Sequence, residues 1–310
     1  MWQDSFCYLC IDMGIRKHIP NALTCCNLLC GCLAIICSSN PLPPLLFVLL
    51  AAFFDFFDGL AARSLKSYSA IGKDLDSLAD MVSFGVAPAI VGYRYILGLG
   101  VKAFGYDQPL SVYFFRNWWP AEYLANQPAM KIQADGAFLP LSGGNITLFL
   151  IALMLPLFIA VFSALRLAKF NNDTRQRDNF IGLATPACAI FFISLIWAFY
   201  PELTYRYYSF MADQGDPQGY PNPALWVTSW LPAILVPVLC WLLVSEIPMF
   251  SMKFRNLSWQ DNKVRFIFLL IALVEIVMTI IGGFSFAGCL CAIIATYILL
   301  NILMLAFRRK

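Results

Sequence analysis

Apolar stretches about twenty residues long recur along this chain, and that length constrains its fold more than any other feature. They fall at roughly 21–39, 43–62, 75–97, 145–167, 181–200, 224–247, 264–281 and 284–306. Twenty helical residues rise about 30 Å, the thickness of a bilayer's hydrocarbon core. Lipid offers no partners for backbone N–H and C=O groups, so such segments span as helices. The expected fold is therefore all-α and polytopic, with eight transmembrane helices. Composition agrees: 60% of residues are hydrophobic and 13% charged, against about 25% charged in soluble proteins. Pro156 is expected to kink the fourth span, and Gly282-Gly283 to turn the chain between the last two.

Basic residues sort to one side of this arrangement. Arg16 and Lys17 precede the first span, and Arg63, Lys66 and Lys73 lie between the second and third. Arg166, Lys169, Arg175 and Arg177 follow the fourth, Lys253, Arg255, Lys263 and Arg265 separate the sixth from the seventh, and Arg308, Arg309 and Lys310 end the sequence. With alternating spans these 16 of 21 basic residues share one face. The positive-inside rule places that face, and both termini, in the cytoplasm. The chain divides into an N-terminal interfacial segment 1–20, a core 21–200 carrying an extracytoplasmic insertion 98–144, and C-terminal helices 201–310. Tyr106, Tyr113, Trp118, Trp119 and Tyr123 in the insertion suit a stretch lying at the membrane interface. Either Met1 or Met13 serves as the start, and no cleavable leader is expected.

Several function classes drop out. No basic stripe with interleaved aromatics suggests nucleic-acid binding. His18 is the only histidine, which removes histidine-based triads. Most of the 11 cysteines sit inside apolar runs and read as small packing residues. Cys7 and Cys10 form a lone C-x-x-C without further ligands nearby.

Charge inside the apolar pattern is the exception that carries chemistry. The chain reads D55-F-F-D58-G59-L-A-A62-R63, then eight residues, then G72-K-D-L-D76-S-L-A-D80. Charges at membrane depth are costly and mark functional sites. Asp55 and Asp58 share a helix face, as do Gly72, Asp76 and Asp80 on the next helix. A turn between the helices lets the faces meet at the cytoplasmic edge. Four clustered carboxylates repel unless they are protonated or neutralised. All-oxygen ligands favour Mg²⁺ or Mn²⁺, and two such ions could clamp a pyrophosphate. Gly59 and Ala62 leave room for a flat group, Gly72 permits close helix approach, and Arg63 suits phosphate oxygens. Lys73 and Asp74 read as ordinary interfacial residues.

The spacing D-x-x-D-G-x-x-A-R-x8-G-x-x-x-D-x-x-x-D resembles the signature of the CDP-alcohol phosphatidyltransferase family, with every position filled. The resemblance implies that Asp55, Asp58, Asp76 and Asp80 hold two divalent cations. It also implies that Asp80 deprotonates the acceptor hydroxyl and that Gly59, Ala62 and Arg63 contact the cytidine nucleotide. Its common core covers about residues 20–200, and the family implies a homodimer in the cytoplasmic membrane with its active site facing the cytoplasm.

A second segment, S163-A-L-R166-L-A-K169-F-N171-N-D-T174-R175, bears on the acceptor. Arg166 and Lys169 share a helix face and could take a phosphate or a carboxylate; the competing reading is anchoring by snorkelling. Together with K17-H-I-P-N21-A-L-T24, G182-L-A-T185-P186 and E246-I-P-M-F-S-M-K253-F, this stretch resembles the phosphatidylserine synthase branch. The branch implies transfer of a phosphatidyl group from CDP-diacylglycerol to L-serine, with release of CMP, among membrane phospholipids. Asn171, Thr174 and Arg175 are further acceptor-side candidates. Thr24 and Asn27 read as packing polars ahead of pocket residues. Glycerol 3-phosphate or an inositol phosphate remains an alternative acceptor, and an ion-coupled transporter the alternative of a different class.

Overall fold

The computed structural model describes residues 18–65, 70–104, 150–172, 180–212, 231–250, 258–283 and 285–308. Helix α1 (Ile19–Ile36) starts with Pro20 in its first turn, and α2 (Leu42–Ser64) follows Pro41. A first-turn proline costs no hydrogen bond, because those N–H groups have no helical acceptor. Arg63 in the last turn of α2 lies where the helix dipole favours a cation. Next come α3 (Ala70–Asp80), a π-helical segment Met81–Val86, and α4 (Ala87–Phe104) as one run. The span Leu150–Asn172 breaks at Leu155-Pro156 and continues as α5 (Leu157–Asn172), so the expected kink is present.

The C-terminal part comprises α6 (Thr185–Ala212), α7 (Leu231–Val244), α8 (Trp259–Gly282) and α9 (Phe286–Arg308). Gly283, at φ 65, closes α8 in the left-handed conformation that favours glycine. Two short strands, β1 (Phe180–Ile181) and β2 (Pro248–Met249), pair antiparallel, an element absent from the all-α expectation.

The sequence pattern predicts eight spans; among the described residues six helices have the length and composition to cross a membrane. The apolar stretches Thr185–Ala198 and Leu231–Val244 are shorter. The 14 residues of α7 rise roughly 21 Å, short of a hydrocarbon core of about 30 Å. After Ala198, Tyr200, Glu202 and Arg206 dilute the hydropathy of α6. The third span also starts earlier than 75, at Ile71, and takes in Gly72. The insertion 98–144 lies almost wholly outside the described residues, as do Cys7 and Cys10.

The helices bury stripes of small, apolar and a few polar residues and leave many large apolar side chains exposed. On α2 the buried stripe runs Leu45, Val48, Ala51 and Asp58, while Leu46, Leu50, Phe53, Phe56, Phe57 and Leu60 are exposed. On α1 the buried stripe runs Pro20, Thr24, Asn27, Gly31 and Ala34. In lipid, exposed apolar side chains lose nothing, so polar groups collect where the protein can pair them. The core between these stripes includes Phe84, Ala87, Val91, Ile159, Phe192 and Ile196.

Close approach depends on small residues. A Cβ at Gly31 would strike the Ser83 hydroxyl and stand 2.8 Å from the Ser83 Cα. One at Gly85 would meet Ser163 Cβ at 3.2 Å. The π-helical segment thus packs directly on α1 on one side and α5 on the other. On the last two helices, Thr296 Oγ1 donates to Glu275 Oε1 at 2.6 Å, joining α9 to α8 inside the membrane-spanning region.

Candidate active site

Helices α2 and α3 bring three carboxylates together. Asp55, Asp76 and Asp80 each offer an oxygen, and these atoms lie within 4.8 Å of one another. Asp55 sits one turn beyond Ala51 on the inward stripe of α2, while Asp76 and Asp80 are one turn apart on α3. Bare charges at that spacing repel by about 3–4 kcal/mol per pair at an effective dielectric near 20. Three pairs amount to roughly 10 kcal/mol, comparable to a whole domain's stability. The group therefore requires a proton or a cation. The Asp76 Oδ1 atom is buried and has no hydrogen-bond partner. Such an orphaned oxygen, beside two more carboxylates and, among the described residues, no sulfur or imidazole in the group, fits a hard divalent cation.

Asp58 stands apart from that group of three. It is 6% exposed and accepts a 2.7 Å hydrogen bond from Thr24 Oγ1 on α1. It remains within electrostatic reach of Asp55, Asp76 and Asp80. Asp80 is held in turn by Asn27, whose Nδ2 donates to Asp80 Oδ1 at 3.1 Å. Asn27 is itself fixed, because Ser83 Oγ donates to its backbone carbonyl at 2.9 Å. Helix α1 therefore supplies the hydrogen-bonded support of two motif aspartates. Packing polars are the weaker description of Thr24 and Asn27. Their spacing of three, on the one buried stripe of an apolar helix, was the available signal.

The neighbouring motif residues line an open face. The Arg63 guanidinium lies beside Gly59, with Nη1 3.6 Å from where a Cβ would stand. Ala62 is half-buried on the same helix, and Gly72 is half-buried in the first turn of α3.

Helix α5 closes the other side. Arg166 is 6% exposed, which is incompatible with snorkelling. Its guanidinium lies 5.7 Å from the Phe170 ring centroid, and its buried Nε has no hydrogen-bond partner. Asp80 is within its electrostatic reach. Lys169, one turn on, is exposed. Its Nζ donates to the Val244 carbonyl at 3.3 Å, capping the C-terminal end of α7. Asn171 Nδ2 donates to Ser77 Oγ at 2.9 Å, and Lys73 Nζ reaches the Asn171 carbonyl at 3.5 Å, so this end of α5 is pinned to α3. Thr174 and Arg175 lie outside the described residues.

Two distant sequence stretches also meet. Phe180 pairs with Met249 and Ile181 with Pro248. Gly182, at φ 76, donates to the Ile247 carbonyl at 2.9 Å, and a Cβ there would stand 2.8 Å from the Leu243 carbonyl oxygen. Both the backbone conformation and the contact call for glycine.

Residues 17–170 match the model of the family described as CDP-alcohol phosphatidyltransferase. A CDP-diacylglycerol–serine O-phosphatidyltransferase of Bacillus subtilis (strain 168) is 29% identical over 189 residues, 60% of this chain and 80% of that protein. The enzyme of the same description from Saccharomyces cerevisiae is 55% identical over 47 residues, 15% of this chain and 17% of its own. That from Methanocaldococcus jannaschii is 41% identical over 83 residues, 26% of this chain and 39% of its own. The chain thus spans less than two thirds of the yeast and archaeal relatives.

Proposed function

Because this chain belongs to the CDP-alcohol phosphatidyltransferase family, we propose that the group transfer it carries out is from CDP-diacylglycerol to the hydroxyl of L-serine, giving phosphatidylserine and CMP. The observation that carries the reading is the carboxylate trio of Asp55, Asp76 and Asp80 with the buried, partly unpaired Arg166 within electrostatic reach of Asp80.

Each residue has a role in that reaction. Asp55, Asp76 and Asp80, with Asp58 behind them, would hold two divalent cations, Mg²⁺ or Mn²⁺. When bound, these supply positive charge to a pyrophosphate and to the oxygens entering and leaving its phosphorus. Asp80 takes the proton of the acceptor hydroxyl. Asn27 occupies its Oδ1, which leaves Oδ2 to receive it. The serine oxygen forms its bond to the phosphorus nearest the diacylglycerol. The bond from that phosphorus to the CMP oxygen breaks, and CMP keeps the electron pair. Gly59 and Ala62 accommodate the cytidine, while Arg63 offsets the departing charge.

Arg166 meets the serine carboxylate. One buried guanidinium matches one carboxylate. A phosphorylated acceptor would call for further cations, and Lys169 is already bonded to Val244 and exposed. The relatives described as serine transferases support the same choice. The basic residues at this edge favour a cytoplasmic active site, and we place the protein in the cytoplasmic membrane as a homodimer.

The test is CMP release from CDP-diacylglycerol in mixed micelles, with serine, glycerol 3-phosphate and inositol phosphate offered in turn. Phosphatidylserine formed only with serine supports the proposal; preference for a phosphorylated alcohol overturns the serine assignment. Absence of metal-dependent CMP release with every alcohol would leave the ion-coupled transporter as the surviving reading.

A further inference from the structure

The family match ends at residue 170, yet the side of the site that holds Arg166 is built against residues well beyond it. Helix α7 packs on α5, and the chain leaving α7 is tied down at a series of backbone groups. Leu183 N donates to the Leu242 carbonyl at 2.9 Å, Lys169 Nζ to the Val244 carbonyl, and Gly182 N to the Ile247 carbonyl. The last anchor comes from α9. Asn301 Oδ1 accepts from Phe250 N at 2.8 Å, and Tyr297 OH donates to the Phe250 carbonyl at 3.0 Å. Asn301 is 1% exposed, and its Nδ2 is bonded to the Tyr297 carbonyl at 2.7 Å, so the two residues act as one unit. The Phe250 ring is packed edge-on to Tyr297 and Phe268, with centroids 5.0 and 5.8 Å away.

We infer that Tyr297 and Asn301 are positioning residues for the acceptor: by clamping both backbone groups of Phe250 they hold the strap 244–250 against α5 and so fix Arg166 toward the site. The strap is joined to α5 at Val244 and to α9 at Phe250, which makes it the mechanical link between the last helix and the acceptor side. A buried guanidinium with an unpaired Nε depends on rigid walls, because a small displacement changes what it can reach. The Tyr297 hydroxyl also lies within electrostatic reach of that guanidinium. Acceptor selection is then shared between the family core and a helix outside it.

The inference rests on Arg166 meeting the acceptor, and the experiment separates the two. Tyr297→Phe removes one hydroxyl and leaves the ring cluster in place. Asn301→Ala frees the Phe250 amide. Steady-state constants are measured for CDP-diacylglycerol and for whichever alcohol the wild type uses. Both variants should raise the acceptor KM by roughly three- to tenfold, the usual effect of one neutral hydrogen bond, with donor KM and kcat within about twofold. Acceptor and donor KM rising alike, or neither changing, overturns it. So does failure of both variants to elute as folded protein, since the clamp is then structural only. A wild type that uses no alcohol removes the transferase reading and this inference with it. A normal wild type beside unaffected variants removes only the clamp.

Discussion

Replacing Gly59 by alanine separates a glycine kept for a ligand from one kept for packing. A Cβ there would meet nothing among the described residues nearer than Arg63 Nη1 at 3.6 Å, an ordinary contact with the end of a flexible side chain. No neighbouring helix among the described residues requires glycine at this point. A glycine inside a helix costs about 0.5–1 kcal/mol relative to alanine. Gly59→Ala should therefore stabilise the folded protein by that amount, raising its melting temperature by roughly 1 °C in a chain of this size. The same methyl group would stand where the cytidine is proposed to lie. One extra methyl in a fitted pocket is worth about 1–3 kcal/mol, or roughly 10- to 200-fold. The KM for CDP-diacylglycerol should rise within that range while the acceptor KM changes little. Gly31→Ala and Gly92→Ala are the contrasting cases. Their Cβ atoms would stand 2.8 Å from Ser83 Cα and 2.6 Å from the Phe192 ring, and overpacking of this kind costs about 1–3 kcal/mol. Melting curves of detergent-solubilised protein and donor-dependent CMP release supply the two readouts. A Gly59→Ala protein with an unchanged donor KM would refute nucleotide contact at this face.

Other perturbations address the carboxylates and their supports. Asp80→Asn should reduce turnover by about 10²–10⁴-fold; near-normal turnover would remove Asp80 as the base. Chelation of divalent cations should stop CMP release, with Mg²⁺ or Mn²⁺ restoring it, and full activity in excess chelator would contradict a cation-held pyrophosphate. Thr24→Val deletes the hydroxyl bonded to Asp58 and leaves that buried carboxylate with only the Gly59 backbone amide as donor, a loss of about 1.5–3 kcal/mol; a melting temperature and metal requirement equal to wild type would show that the bond is idle. Gly182→Ala imposes a side chain on a left-handed residue facing two carbonyl oxygens at 2.8 and 2.9 Å, which should lower folded yield sharply; a wild-type elution profile and melting curve would disprove the need for glycine there.

Much of the site was legible because membrane sequences simplify the reading. Aspartates are expensive in lipid, so Asp55, Asp58, Asp76 and Asp80 stand out against the apolar runs around them, and spacings of three and four predict their shared faces. The same economy of composition marked the long helices and the kink at Pro156. What the spacing left open was which carboxylates converge. Side-chain periodicity orders residues around one helix but says nothing of the distance between two. The trio of Asp55, Asp76 and Asp80, with Asp58 drawn to Thr24, depends on how closely α1, α2 and α3 approach.

Sequence alone determined the membrane class, the inward stripe of acids and the family resemblance, because hydrophobic length, charge and motif spacing are local properties of the chain. Only the tertiary structure decided that Thr24 and Asn27 support the aspartates, that Arg166 is buried while Lys169 caps α7, and that residues 180–182 meet 247–249. Those are contacts between groups 34 to 75 positions apart, set by which helices pack together and how tightly small residues let them close.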